Sequence, residues 1–112
     1  MKYIICSDDA NHEFENVDDF IDKLLEFKEK FVELITKKPR RIDGHIRRTD
    51  SLGCSIWIDD KRVGFLDVDL PFYCYPKVVT TIIVDDYSGL KPIAKALSTH
   101  FSMDAFYPHV WD

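Results

Sequence analysis

Between Val17 and Ile35, ten apolar residues fall within about half of a helical wheel: Val17, Phe20, Ile21, Leu24, Leu25, Phe27, Phe31, Val32, Leu34 and Ile35. A stripe that wide requires one long helix, and the helix requires a second apolar surface to lie against. The ends are marked as well. Asn16 offers an N-cap oxygen, and Asp18 and Asp19 put negative charge in the first turn, where the helix dipole favours it. Lys37 and Lys38 suit the C-terminal end, and Pro39 stops the helix. Asp19–Lys23, Glu26–Lys30 and Glu33–Lys37 stand four apart with the acid first, the favoured order.

The rest of the chain supplies the second surface as strands. Lys2–Cys6 (KYIIC) reads as a short buried strand, and Ser7–Asn16 as a polar, acidic loop. Pro39–Ser51 is basic and polar, a loop or an exposed edge strand. Leu52–Ile58 and Arg62–Leu70 read as two strands joined in a tight hairpin at Asp59–Asp60–Lys61. Val78–Val84 is almost wholly β-branched and reads as a central strand. After a turn at Asp85–Gly89, the spacing of Leu90, Ile93, Ala94, Leu97 and Phe101 predicts a second helix, with Pro92 in its first turn. Met103–Asp112 is an aromatic tail that could add an edge strand, with Pro108 limiting its pairing. The expected fold class is α+β: a mostly antiparallel sheet of four to five strands with two helices on one face. The order is β-α-β-β-β-α, with room for a last strand, in one globular domain spanning residues 1–112.

Composition narrows the function classes. At 112 residues and 46% hydrophobic content, the chain can bury a core without staples. No apolar run reaches the roughly 18–20 residues needed to cross a bilayer, so no membrane partner is expected. Met1–Asp9 reads as a strand and loop rather than a signal peptide. The cysteines Cys6, Cys54 and Cys74 fit neither a disulfide framework nor a zinc site, and point to reduced thiols in a cytoplasm. Gly44, Gly53, Gly64 and Gly89 are isolated, so no nucleotide-binding loop is present. No cofactor and no metal is expected.

Charge is unevenly spread. The net charge is −5. Residues 1–22 carry a balance of −6, residues 23–48 one of +5, and residues 49–112 one of −4. The basic run Lys37, Lys38, Arg40, Arg41, Arg47 and Arg48, within block 37–48, could touch phosphate. It lacks interleaved aromatics and sits in an acidic chain, so a solvated helix end is the better reading. A cysteine enzyme would need Cys54 or Cys74 beside His45, His100 or His109, and no local signature supports one. No catalytic residue is assigned. Most adjacent aspartates fall in turns or at a helix start, where aspartate bonds locally.

The hairpin carries the most informative constellation. Cys54, Ile56 and Ile58 point one way; Ser55 and Trp57 point the other. Leu66, Val68 and Leu70 form an apolar set opposed by Phe65, Asp67 and Asp69. If the aliphatic sets meet the helices, Trp57, Phe65, Asp67 and Asp69 share the other face. The loop aromatics Phe72, Tyr73 and Tyr75 follow, and Asp59 and Asp60 close the hairpin. Rings beside carboxylates compose a binding hot spot; a further element covering this face would instead make them a minor core.

A strong first helix over Val17–Lys38 followed by the hairpin GCSIWIDDKRVGFLDVD within Leu52–Asp69 resembles the immunity proteins of bacterial toxin–immunity systems, including contact-dependent growth inhibition. The resemblance implies a cytoplasmic protein without catalytic activity that binds one cognate toxin. A basic nuclease is one such partner, because acidic inhibitors offer carboxylates to a basic cleft. It assigns no individual residue, and the basic middle block departs from a uniformly acidic inhibitor. A small cysteine-dependent enzyme, or a regulatory nucleic-acid binder using residues 37–48, is the alternative expectation.

Overall fold

The computed structural model describes residues 1–8, 10–37, 49–71 and 78–105. The elements are β1 (Tyr3–Cys6), β2 (Asn11–Phe14), α1 (Val17–Lys37), β3 (Thr49–Ile58), β4 (Lys61–Pro71), β5 (Val79–Val84), α2 (Tyr87–His100) and β6 (Ser102–Ala105). One six-stranded sheet has the order β2-β1-β3-β4-β5-β6. All pairs are antiparallel except β5–β6, which α2 connects in parallel. The α+β class, the β3-β4-β5 meander and the two helices on one face agree with the sequence reading.

Four details differ from it. The sheet has six strands rather than four to five, because residues 11–14 (NHEF), inside the expected loop, pair with β1. Their alternation places His12 and Phe14 half-buried towards α1, with Asn11 and Glu13 exposed. Only one of those inward residues is strongly apolar, so the strand signal is faint. β3 begins at Thr49, inside the basic segment where a loop or an exposed edge strand is expected. The last strand lies at Ser102–Ala105 and runs parallel to its neighbour, so the sheet is mixed. Finally, α2 begins at Tyr87, not Leu90, which puts Pro92 beyond the first turn. There it removes a main-chain hydrogen bond from the helix interior.

The first helix follows its sequence signals. Asn16 Oδ1 accepts from Asp18 N at 2.7 Å and more weakly from Asp19 N at 3.4 Å. The face formed by Phe20, Ile21, Leu24, Phe27, Phe31 and Ile35 is buried. Leu34 alone of the ten stripe residues is exposed, at 49%. Leu90, Ile93 and Leu97 of α2 complete the helical layer. The sheet answers with Ile5, Ile56, Leu66, Val68 and Ile82, all fully buried. Each such side chain contributes about 1.5–3 kcal/mol of transfer free energy. Because strand side chains alternate, this one-sided core leaves every second residue on the face away from the helices.

Candidate functional site: the sheet face opposite the helices

Register fixes which side chains meet on that face. Trp57 pairs with Ile4 of β1 and Arg62 of β4. Ser55 pairs with Cys6 and Phe65, and Phe65 in turn with Ile83. Asp67 lies between Gly53 and Thr81, and Asp69 between Ser51 and Val79. The hairpin register shifts between Ile56 and Trp57, and Val63 is the extra residue. The bulge turns Val63 into the helix-side core and sends Arg62 to the face opposite the helices. Gly53 sits where a Cβ would meet the Leu66 carbonyl oxygen, so the strand beside Asp67 stays without a side chain.

Trp57, Phe65, Asp67 and Asp69 are thus all brought to one face, each half-buried, and none belongs to the helix-packed core. Among the described residues no helix packs on this face. Thr81, beside Asp67, is the only buried polar residue among them. Asp59 and Asp60 lie elsewhere, exposed at the hairpin tip. Asp59 takes the left-handed conformation at φ 55°, accepts from Lys2 N at 2.9 Å and donates its own N–H to Lys2 O at 2.8 Å. Its carboxylate therefore ties the turn to the start of β1. Phe72, Tyr73 and Tyr75 fall outside the described residues, as do Cys74 and residues 38–48 of the basic block.

The electrostatics single out one pair. Burial, a hydrogen bond to Asp69 and the Asp69 charge together push the Asp67 carboxyl up from 3.8 to about 7. Near neutrality the two carboxyls therefore share a proton part of the time. Arg62 does not neutralise them. Its Nε is 2.7 Å from Asp85 Oδ2, and its Cζ lies 5.8 Å from the centre of the Phe65 ring. The indole Nε1–H of Trp57 donates to Ser55 Oγ at 3.1 Å, which fixes the ring on the sheet. At the far end of the hairpin the Lys61 ammonium lies 2.8 Å from Asp86 Oδ2. That contact, with the backbone N–H groups of Gly89 and Ser88, lowers the Asp86 pKa. Asp86 is the extended N-cap residue of α2, and its carboxylate turns to Lys61 rather than making a capping hydrogen bond of ordinary geometry.

The sequence found the hairpin half of this face and missed the rest. Arg62 is placed by a bulge that alternation alone does not reveal. Thr81 and Ile83 alternate correctly within VTTIIV, but their relation to Phe65 and Asp67 depends on the pairing register.

Chemistry by Cys54 is disfavoured. Burial, reinforced by Cys6, raises its thiol to about 12, so it stays protonated and non-nucleophilic. Among the described residues no group of three or more His, Cys, Asp and Glu side chains could hold a metal ion, and no helix is long and apolar enough to cross a membrane. No family model, curated protein or solved structure matches the chain.

Proposed function

We propose that this chain is a binding protein without catalytic activity: an immunity protein that docks a cognate toxin on the sheet face opposite its helices and neutralises it in the cytoplasm. The observation that carries the reading is the patch itself. A half-buried Trp57 and Phe65 share a face with the Asp67–Asp69 carboxylate pair, and Arg62 on that face is already occupied by Asp85. Such a surface offers apolar anchors with a net negative edge, and suits a partner that presents a basic patch, a nuclease among the candidates. The reduced cysteines Cys6 and Cys54 are compatible with that compartment.

The test is protection. Co-expressed with the toxin encoded beside it, the chain should restore growth and co-purify with that toxin. Trp57→Ala should weaken the complex about tenfold or more through faster dissociation while the domain stays folded. Asp69→Asn should mainly slow association, and less so at high salt. If folded Trp57→Ala protects as well as the parent, the face is not the docking surface. If the neighbouring gene product is neither toxic nor bound, the immunity reading fails.

A further inference from the structure

The flank of the sheet beneath α1 carries a second feature, independent of the face just described. β1 ends at Cys6 and pairs only with residues 55–58 of β3, whereas β3 runs back to Thr49. The second half of α1 therefore overhangs a stretch of β3 that has no β1 partner, and two contiguous grooves open there. One, of about 340 Å³, lies between the β1–β2 loop and α1 and is lined by Ser7, His12, Lys23 and Phe27 among others. The other, of about 300 Å³, continues over Phe31, Leu34 and Leu52. Ser7, Phe27 and Lys30 line both, so the two form one channel along the helix. Each volume is at the lower end of the range that holds a small ligand.

The chemistry of the channel is split. Its upper part is lined by Lys23, Lys30 and the carboxylate of Glu26, which leaves one net positive charge. Lys30 is exposed and makes no ion pair among the described residues. Lys23 lies 5.6 Å from the centre of the Phe27 ring and 3.6 Å from Glu26. The His12 ring stands edge-on to Phe27 at 5.5 Å. The lower part is apolar, and it explains the one stripe residue that the fold leaves uncovered: Leu34, 49% exposed, borders it together with Phe31 and Leu52. Asp8 sits at its rim and disfavours a second negative charge at that end.

We propose that this channel binds a small amphipathic anion, a carboxylate on a medium-length apolar chain, with the carboxylate at Lys30 and the chain lying along Phe31, Leu34 and Leu52. The cation at the junction of the grooves selects the head group, and the uncovered leucine supplies the contact for the body.

The experiment is a proton–nitrogen NMR titration of the whole chain with sodium decanoate, held below its micelle concentration. Saturable shifts are expected at Ser7, His12, Lys30 and Leu52. Butyrate, which lacks the body, and decyltrimethylammonium, which reverses the charge, should each bind about tenfold more weakly or worse. Lys30→Glu should weaken decanoate binding about tenfold, and Leu34→Ser should weaken it while leaving the charge dependence intact. Both sites are exposed, and the spectrum itself reports that each variant is folded. Shifts scattered over the surface, equal binding of the cationic analogue, or unchanged affinity in Lys30→Glu would each overturn the proposal. None of these outcomes bears on the toxin-docking face, whose residues lie on the other side of the sheet.

Discussion

Replacing Asp67 by Asn should stabilise the protein, and more so as pH rises. The Asp67 carboxyl titrates near 7 in the folded state, against 3.8 for the ordinary group, through burial, its hydrogen bond to Asp69 and the Asp69 charge. A raised folded-state pKa means that the folded chain holds a proton the unfolded chain has already lost. That contribution is complete below about 3.8, declines as pH rises, and is gone once pH passes about 7. One pKa unit corresponds to about 1.4 kcal/mol. Both carboxyls are half open to water, so solvent screening leaves about 1–2 kcal/mol across the whole window. Asn keeps the shape and can still donate to Asp69, but it cannot ionise. Urea unfolding at pH 5 and pH 8 should therefore show Asp67→Asn gaining about 1 kcal/mol over the parent at the higher pH, equivalent to about 5 °C in Tm, and a clearly smaller gain at the lower. Comparing variant with parent at each pH cancels the histidines. Asp86 remains charged throughout, because its lowered pKa keeps its contribution in place until pH falls below the carboxylate range. The same pH dependence in Asp67→Asn as in the parent, or lower stability of the variant at pH 8, would refute the shared-proton pair.

Two further expectations concern the core. Gly64→Ala would place a Cβ 2.6 Å from the Ile83 carbonyl oxygen between two central strands. It should cost about 1–3 kcal/mol in urea unfolding, and a loss under about 0.5 kcal/mol would mean that β4 and β5 separate without resistance. Cys54, buried and held near 12, should be alkylated by iodoacetamide at pH 7.5 far more slowly than the same thiol in urea. Equal rates, read by mass spectrometry, would show that the thiol is neither buried nor suppressed.

How much of this was legible depended on whether a feature is local. The first helix could be read nearly to the residue because its stripe, its Asn16 cap and its acidic first turn are all set by neighbours within four positions. The Trp57, Phe65, Asp67 and Asp69 face followed from alternation within one hairpin. Features set by distant partners were not legible. β2 is a strand because β1 gives its backbone a ladder to join, not because NHEF favours extension. Arg62 reaches the face opposite the helices because of an unpaired Val63. The burial that raises the Asp67 pKa depends on the strands packed around it, with Gly53 on one side and Thr81 on the other.

The strand order has a kinetic consequence. β1 with β2, β3 with β4 and β4 with β5 are neighbours in sequence, and β5 reaches β6 across α2 alone. Among the described strands only β1–β3 joins segments distant in the sequence, from Cys6 opposite Ser55 to Tyr3 opposite Ile58. Closing that long loop costs chain entropy before any contact compensates, so this pairing should set the pace of assembly. Ile5, fully buried and paired with Ile56 at the centre of the junction, is where its effect can be read. In stopped-flow refolding Ile82→Val, in the meander already formed at the barrier, should slow folding with little change in unfolding, and Ile5→Val, at the docking step itself, should slow folding as well. An unchanged folding rate for Ile5→Val would mean that the N-terminal hairpin docks only after the barrier is crossed. On the expected order, residues 49–105 act as a template that is already formed when the amino-terminal hairpin arrives, and the chain's beginning is the last part of it to be placed.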